Sequence, residues 1–549
     1  MLANKKAIFQ VRWNLRSYIP KGESVSRSLS ESDKQRVVSF CDVDVKKIKR
    51  AWLEDYDEKA RVVRWKLPIV HVKLRISIER MWQDARDIFA QSNGSSVDNW
   101  SRHSITFTFT MIFLILLITL QAVFAQESND TMKLLLVQAM WRHGDRTPTK
   151  TFTSDPFREA NWTKGGGGFE QLTPEGMYQQ MELGKLIRGR YVDLLKFLPP
   201  QYSSSKIYVR ATDTNRTIVS AMSNMIGMYG QESNKHEAGK DFPKNLTGWP
   251  AFYVPIAIHT LHKPTDYVGH PDADCNRRNK LWKMVMESEE VQEYKNNVSK
   301  LLEDLEKKCG QPIPLDDISV VRDPLYIEQI HFPKELKERT PWFNEELYKK
   351  IDAMYSRTEG FKYSLFEKPL IVNGLDVGHE LMKVRGGPFF NEIADHMDLK
   401  LDCWDSKDKK CAWMKELQYY AYSVHDSTVY QFLTLLGIGR KVVVPGLLPE
   451  YAAATFVELW LDKSNKPFFN VLYHPHEKSL DIYSVTKEIE GCNGKEYCDL
   501  DVFRKIASKY KPEVPMAEYC ETDPNDPNNG SAPKAALWAI FVLVFYTTL

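Results

Sequence analysis

The sequence predicts an α/β fold with a mostly parallel central sheet flanked by helices, and with an inserted smaller helical cap domain. Three short apolar runs, at residues 133–139, 207–211 and 419–424, have the length and unbroken hydrophobicity of strands that are buried on both faces. Residues from about 240 to 380 are instead rich in charged side chains at helical spacing. A helical lobe inserted into an α/β core accounts for both patterns.

Helical patterns follow the predicted strands and complete the alternation expected of such a core. Residues 172–191 predict a long helix, with Thr173 as its N-cap and Pro174 in its first turn. Residues 217–228 and 429–436 predict helices that start soon after the second and the third strand. Each strand of the set therefore leads into a helix, as in open α/β sheets.

The first 125 residues differ in character from the rest of the chain. Residues 1–103 form a basic extension of unknown role, whereas residues 104–125 contain no charged side chain. This apolar run fits a signal peptide that starts at Met111 and leaves Gln126 as the mature amino terminus. Read from Met1, it fits a signal anchor that spans the bilayer. Both alternatives predict that residues 126–529 form an extracellular or lumenal domain.

The carboxy terminus predicts membrane attachment of the same domain. Residues 535–549 are apolar, and either a short transmembrane span or a lipid-anchor signal fits them. N-x-S/T sequons support an exported glycoprotein, and they lie at Asn129, Asn161, Asn215, Asn245, Asn297 and Asn529. We expect the domain at the cell surface, in the secretory pathway or in a lysosome-like compartment.

Cysteine usage also indicates an oxidising compartment. Seven of the eight cysteines follow residue 270, and the short spacings of Cys403/Cys411 and Cys492/Cys498 suit disulfide loops. A zinc site is the alternative, but neither pair has C-x-x-C spacing. Because seven is an odd number, one thiol of the domain is left free or pairs between chains. The net charge of +2 predicts no nucleic-acid partner.

Charged motifs follow all three predicted strands. The first strand runs into Arg142-His143-Gly144-Asp145-Arg146, the second ends at Arg210, and the third is followed by His425-Asp426. The carboxyl ends of parallel strands meet at one edge of the sheet, where ligands bind and helix N-termini favour anions. Guanidinium groups match phosphate oxygens geometrically. These motifs therefore predict one phosphate-binding site.

The residue types suggest a mechanism for phosphate-ester cleavage. His143 would attack phosphorus and form a covalent phosphohistidine, and Asp426 would protonate the leaving group and later accept a proton from water. The predicted phosphate-binding residues are Arg142, Arg146, Arg210 and His425. Asp145 and Arg216 are expected to brace the loops. The arginines supply the charge that a metal would supply elsewhere, so we expect neither metal nor cofactor.

The motifs RHGDRTP (142–148), QLTPEGM (171–177), RATDTNRT (210–217) and HDSTV (425–429) resemble those of the histidine acid phosphatases, especially the prostatic and lysosomal animal branch. The resemblance extends from about Lys133 to Cys520. It implies an α/β core with a helical cap, often assembled as a homodimer, and the residue roles given above.

The resemblance also bears on the disulfides. It implies the bridges Cys275–Cys520 and Cys492–Cys498, leaves Cys403–Cys411 as an additional loop and gives Cys309 no partner.

Two other functions remain open on the sequence alone. A phytase or inositol-polyphosphate phosphatase would share both signatures, but it needs a strongly basic pocket, whereas the domain here has a slight acidic excess. A catalytically silent binding protein would be expected to lack a catalytic residue, whereas all six predicted catalytic and phosphate-binding residues are present. We therefore predict an acid phosphatase acting on phosphate monoesters.

Overall fold

The structure is a computed structural model that describes residues 132–230, 236–245, 247–250, 253–444, 446 and 448–524. The chain divides into two units, residues 1–125 and 126–549, and all described residues belong to the second unit. The predicted basic extension, signal segment and carboxy-terminal tail, with the sequons at Asn129 and Asn529, lie outside the described residues. Among the residues described, no helix combines the length and the apolarity needed to cross a bilayer.

A seven-stranded sheet forms the centre of the domain, and a small separate hairpin lies outside it. The strands are β1 Lys133–Arg142, β2 Ile207–Ala211, β3 Ile371–Val372, β4 Leu375–Asp376, β5 Tyr419–Val424, β6 Ala454–Leu461, β7 Pro467–His474, β8 Tyr483–Ser484 and β9 Cys498–Asp499. The order in the sheet is β2-β5-β1-β6-β7-β8, and β9 pairs with β7. β5 lies parallel to both β1 and β2, whereas β6 to β9 are antiparallel to their neighbours.

Helices make up most of the remaining chain. They are α1 Pro174–Arg188, α2 Asn215–Tyr229, α3 Asn276–Glu287, α4 Glu289–Cys309, α5 Ser319–His331, α6 Pro333–Arg339, α7 Glu345–Lys362, α8 Val377–Cys403, α9 Ala412–Glu416, α10 Asp426–Leu435, α11 Gly439–Val442, α12 Leu500–Lys509 and α13 Met516–Tyr519. A π-helical stretch, Gly189–Leu194, extends α1. The Thr173 side chain caps α1 by accepting from the Gly176 N–H at 3.1 Å, as predicted.

Alternation along the strands explains why both faces of the sheet are covered. In β1, Val137, Ala139 and Trp141 belong to a core shared with α1 and α2. Leu136 and Met140 point the other way, into a core shared with α8, α10 and α12. The predicted α/β class with flanking helices is thus confirmed. The antiparallel strands β6 to β9 extend the parallel half and were not foreseen.

The cap is built from α3 to α7 and has a hydrophobic core of its own. Leu281, Val321, Leu325 and Phe361 are fully buried in it. Helix α8 joins the two cores, because its first turns pack into the cap core and its later turns pack against the sheet.

The structure contains all three predicted disulfides. They are Cys275–Cys520, Cys403–Cys411 and Cys492–Cys498. Cys309 is a free thiol and is buried in the cap core. Its burial explains how an unpaired cysteine persists in a domain with three disulfides.

Candidate active site

The carboxyl ends of β1, β5 and β2 lie side by side and bring the predicted motifs together. His143 directly follows β1, and His425 directly follows β5. Their rings lie 5.7 Å apart between centroids, in an edge-to-face arrangement. Thr212, just after β2, contacts His425 across the same edge, with 3.0 Å between its Oγ1 and Nε2 of the ring. The three parallel strands therefore place one residue each around a common point.

His143 is buried, and its hydrogen bond determines which ring nitrogen is reactive. Nδ1 lies 2.7 Å from the Gly144 carbonyl oxygen. A carbonyl can only accept, so Nδ1 carries the proton and Nε2 keeps its lone pair. Burial, together with the charges of Arg216, Arg142 and Arg146, lowers the pKa of His143 well below the usual value of 6.5. The imidazole therefore stays neutral in mild acid.

Gly144 allows the catalytic loop to pack directly on the first turn of α1. A Cβ atom at this position would lie 2.3 Å from the Gly176 carbonyl oxygen, closer than atoms can approach. Any side chain here would push the loop away from α1 and displace His143 with it. The glycine of the motif is therefore explained by close backbone approach.

Arg142, which precedes His143 in the chain, forms an ion pair with Asp426, the predicted acid. Its Nη2 lies 3.0 Å from Asp426 Oδ2, and its Nη1 donates to the Pro449 carbonyl at 2.7 Å. The guanidinium lies over the Tyr451 ring, 4.4 Å from the centroid. Asp426 occupies the first turn of α10 and remains 22% exposed, so it can reach both solvent and a bound ester.

Arg146 is held from the cap side. Its two terminal nitrogens donate to both carboxylate oxygens of Asp323, at 2.8 and 3.0 Å. Among the described residues, its Nε has no hydrogen-bond partner. This leaves one edge of the guanidinium free to bind a ligand.

Arg216 completes the group of cations, although the sequence suggested only a bracing role for it. It is buried, Nη2 lies 3.5 Å from His425 Nδ1, and the Glu170 carboxylate is 3.8 Å from Nη1. Within the described part of the chain, Nε and Nη1 have no hydrogen-bond partner. Burial and the Arg146 charge lower the pKa of Arg216 to about 10. A buried guanidinium with free donors requires an anion.

Arg210 is placed differently from the prediction. Ile207 and Val209 belong to the core shared with α1 and α2, so Arg210 points to the opposite face of β2. There its Nη1 lies 3.1 Å from Glu392, and its Nη2 donates to Asp266. The expectation that Arg210 binds phosphate is corrected on this ground, because two carboxylates already neutralise it. Arg216 lies beside the two histidines instead.

His425 is buried between Thr212, Arg216 and a third imidazole, His270, whose ring lies 5.3 Å away. Burial, the Arg216 charge and His270 lower its pKa well below 6.5. Nε2 can exchange its hydrogen bond with the Thr212 hydroxyl as either donor or acceptor. Arg216 can only donate, so its contact makes Nδ1 the acceptor and Nε2 the donor to Thr212; Nδ1 donates to a bound oxygen only in the other tautomer, with Arg216 turned to the phosphate.

Asp145 braces the catalytic loop against the cap. His331 Nε2 lies 2.9 Å from Asp145 Oδ2, and the Lys164 ammonium donates to His331 Nδ1 at 3.2 Å. Ligand atoms of Asp145, Glu175 and His331 lie within 4.8 Å of one another, as a metal site would require. However, Lys164 also pairs with Glu175 at 2.8 Å, so an ammonium group already lies in the cluster and neutralises one of its two carboxylates.

A cavity of about 630 Å³ adjoins the site behind Tyr451. Tyr326 and Ile330 of α5 line one side of it, and Glu450 lines the rim. The Tyr326 hydroxyl lies 3.4 Å from the Glu450 carboxylate. Tyr451 lines this cavity and also contacts Arg142 and His143, the latter at 6.1 Å between ring centroids.

The described residues thus bring three guanidinium groups, two imidazoles and one carboxylate to one edge of an α/β sheet. Such a set can bind a tetrahedral dianion, attack it with a neutral nitrogen and supply a proton to the group that leaves. The fold and the site define a phosphoryl-transfer enzyme. The chain belongs to the histidine phosphatase superfamily (branch 2), whose family model matches residues 133–474. The protein is therefore a phosphatase, and the predicted family is confirmed.

Curated relatives agree with this assignment. Putative acid phosphatase 10 of Caenorhabditis elegans is 33% identical over 414 residues, which cover 75% of this chain and 99% of the relative. Human prostatic acid phosphatase is 30% identical over 391 residues, with 69% and 86% covered. Among solved structures, the apo form of Hafnia alvei phytase is 16% identical, with a TM-score of 0.46 and coverage of 71% and 98%.

Proposed function

We propose that this phosphatase is an acid phosphatase that hydrolyses phosphate monoesters through a phosphohistidine on His143. One observation carries the proposal: the Nε2 lone pair of a buried imidazole, held in its neutral form, lies in the field of Arg142, Arg146 and Arg216. A cationic cradle binds the phosphate dianion, and a neutral nitrogen can attack its phosphorus.

In the first step His143 Nε2 forms a bond to phosphorus while the ester oxygen departs. Asp426 gives its proton to that oxygen, so the product leaves as a neutral alcohol. In the second step a water molecule transfers a proton to Asp426 and attacks phosphorus. The P–N bond then breaks, which returns the electron pair to Nε2 and releases phosphate. The arginines and His425 stabilise the equatorial oxygens in both steps.

The contact between Arg142 and Asp426 supports the assignment of the acid. At 3.0 Å from Asp426 Oδ2, Arg142 places the carboxyl group next to the oxygens that it would itself bind. Asp426 is also the partly exposed member of the site, as a group that exchanges protons with water must be. No metal or cofactor enters this mechanism.

We further propose that the enzyme acts outside the cytosol, attached to a membrane and assembled as a homodimer. Three disulfides support an oxidising compartment. The attachment rests on the apolar segments outside the described residues, and the dimer rests on the family resemblance.

Two substitutions separate the nucleophile from the acid. His143→Ala should abolish turnover of every substrate, because the covalent intermediate cannot form. Asp426→Ala should slow hydrolysis of an alkyl phosphate by at least about 10²–10⁴-fold, because an unprotonated alkoxide leaves poorly. With a nitrophenyl phosphate the first step should suffer much less, and phosphate should accumulate on His143.

The intermediate is trapped by an alkaline quench, because a phosphoramidate bond is labile in acid. Asp405→Ala, which changes an exposed aspartate, serves as the control and should behave as wild type. Equal losses of Asp426→Ala on both substrates, without alkali-stable phosphate on His143, would show that the acid is another residue.

A further inference from the structure

Helix α5 of the cap presents one stripe of side chains to the catalytic loop. Asp323 contacts Arg146, Tyr326 lies 6.2 Å from Tyr451 between ring centroids, and His331 bonds to Asp145. Asp323 and Tyr326 lie three positions apart, and His331 follows Asp323 by eight, about two turns, so all three face the same side of the helix. Asp323 and His331 of α5 therefore contact the loop that carries His143, and Tyr326 contacts Tyr451 beside it.

Asp323 is the most heavily bonded residue of this stripe. Besides the two bonds from Arg146, its Oδ2 accepts from the Thr149 N–H at 3.0 Å and from the Thr149 hydroxyl at 3.1 Å. Burial would raise its pKa, but the Arg146 charge and these hydrogen bonds outweigh burial and hold the pKa at about 2. The carboxylate therefore stays charged over the acidic range in which the proposed enzyme works.

The geometry of the pair determines which donors of Arg146 remain. Asp323 takes one N–H from each terminal nitrogen, and the Thr147 carbonyl accepts from Nη1 at 3.1 Å. What remains is the edge formed by Nε and the second proton of Nη2. The same type of edge binds two oxygens of a phosphate side-on.

We propose that Asp323 is a positioning residue, which fixes the plane of the Arg146 guanidinium so that its Nε edge faces the phosphate. The proposal rests on the function assigned above, in which Arg146 binds phosphate. It assigns to the cap a part in building the phosphate site itself. Without the carboxylate, Arg146 would lose its fixed orientation and bind phosphate as a mobile charge.

The test uses Asp323→Asn in the full-length protein, with nitrophenyl phosphate as substrate and inorganic phosphate as competitive inhibitor. We expect the inhibition constant for phosphate to rise about 10–150-fold, which at about 1.4 kcal/mol per tenfold corresponds to one charge-assisted hydrogen bond of about 1.5–3 kcal/mol. In the double variant with Arg146→Ala, the loss should equal that of Arg146→Ala alone within about twofold. A merely structural role would instead add its loss to that of Arg146→Ala.

Two matched controls separate positioning from general loosening of the cap. Asp317→Asn removes the exposed Lys150–Asp317 pair, which also joins the loop to the cap, and should leave phosphate inhibition unchanged. Thr149→Val removes the hydroxyl hydrogen bond to Asp323 but leaves both hydrogen bonds between Arg146 and Asp323. The inhibition constant for phosphate should therefore change by less than about threefold.

If Asp323→Asn does not fold, Asp323→Glu keeps the charge but moves the carboxylate by one methylene, and weaker phosphate inhibition is again expected. An unchanged inhibition constant in either folded variant, or additive losses in the double variant, would overturn the proposal. Alkaline trapping of phosphate on His143 in the wild-type protein tests the proposed function separately, so failure of one can be told from failure of the other.

Discussion

The placement of Arg216 in the site, and of Arg210 outside it, predicts opposite outcomes for the same substitution at two positions. Arg→Lys keeps the positive charge but replaces a planar fork by a point charge. At position 216 the fork has free donors beside His143 and His425, so lysine removes contacts to the substrate. At position 210 lysine can still pair with Asp266 and Glu392.

The magnitude follows from the donors that Arg216 leaves unpaired. Nε and Nη1 can each make a charge-assisted hydrogen bond to phosphate, worth about 1.5–3 kcal/mol apiece. Complete removal in Arg216→Ala should therefore cost about 3–6 kcal/mol, or about 10²–10⁴-fold in kcat/KM, at about 1.4 kcal/mol per tenfold. Arg216→Lys should lose at least about tenfold, since the fork geometry is gone. Arg210→Lys should stay within about threefold.

The assay is steady-state hydrolysis of nitrophenyl phosphate, with phosphate inhibition as a second readout and thermal unfolding as a check on folding. Arg210→Lys should lower Tm but leave the inhibition constant for phosphate within about threefold, because its guanidinium pairs with the buried Asp266 and the partly exposed Glu392. If a folded Arg210→Lys loses as much kcat/KM as Arg216→Lys, the roles assigned from the geometry are reversed and the reasoning is refuted.

Two further predictions concern metals and pH. Turnover at acidic pH should survive strong chelators, because guanidinium groups supply the charge at the site; loss of activity with EDTA and recovery with a divalent metal would contradict this. Burial and the neighbouring Asp155 raise the pKa of Glu328 in α5 to about 10. The folded cap therefore favours the protonated, neutral form of Glu328. The contribution of Glu328 to the free energy of unfolding is complete below pH 4.5 and decreases as pH rises towards 10. Glu328→Gln should raise Tm at pH 7.5 and leave it nearly unchanged at pH 4. Equal changes in Tm at the two pH values would show that folding does not raise the pKa of Glu328.

The parallel half of the sheet was predictable because its signals are local. The runs 207–211 and 419–424 coincide with β2 and β5, and Thr173 caps α1 as expected. The run at 133–139 continues to Arg142, and this extension places His143 directly at the strand end. Strands β6 and β7 were not predicted, because antiparallel pairing depends on partners elsewhere in the chain and no motif of the predicted site adjoins these strands.

The roles of Arg210 and Arg216 were not predicted correctly from the sequence. Both arginines lie in RATDTNRT, and the motif alone does not tell which one faces the ligand. Strand alternation was a usable signal, since the apolar Ile207 and Val209 belong to the core with α1 and α2, which directs Arg210 to the other face. The carboxylates that neutralise Arg210 could not have been found from the sequence, because Glu392 follows it by 182 residues.

The position of β5 between β1 and β2 has a consequence for biosynthesis. In the folded sheet β1 and β2 do not pair with each other. Both pair with β5, which is synthesised after the whole cap. Pairing over such sequence separations is slow, because the entropy of closing a long loop is lost before contacts are gained. Nascent chains that end before Tyr419 therefore leave β1 and β2 without the strand that pairs with both, and their retention by chaperones should be longest at that stage.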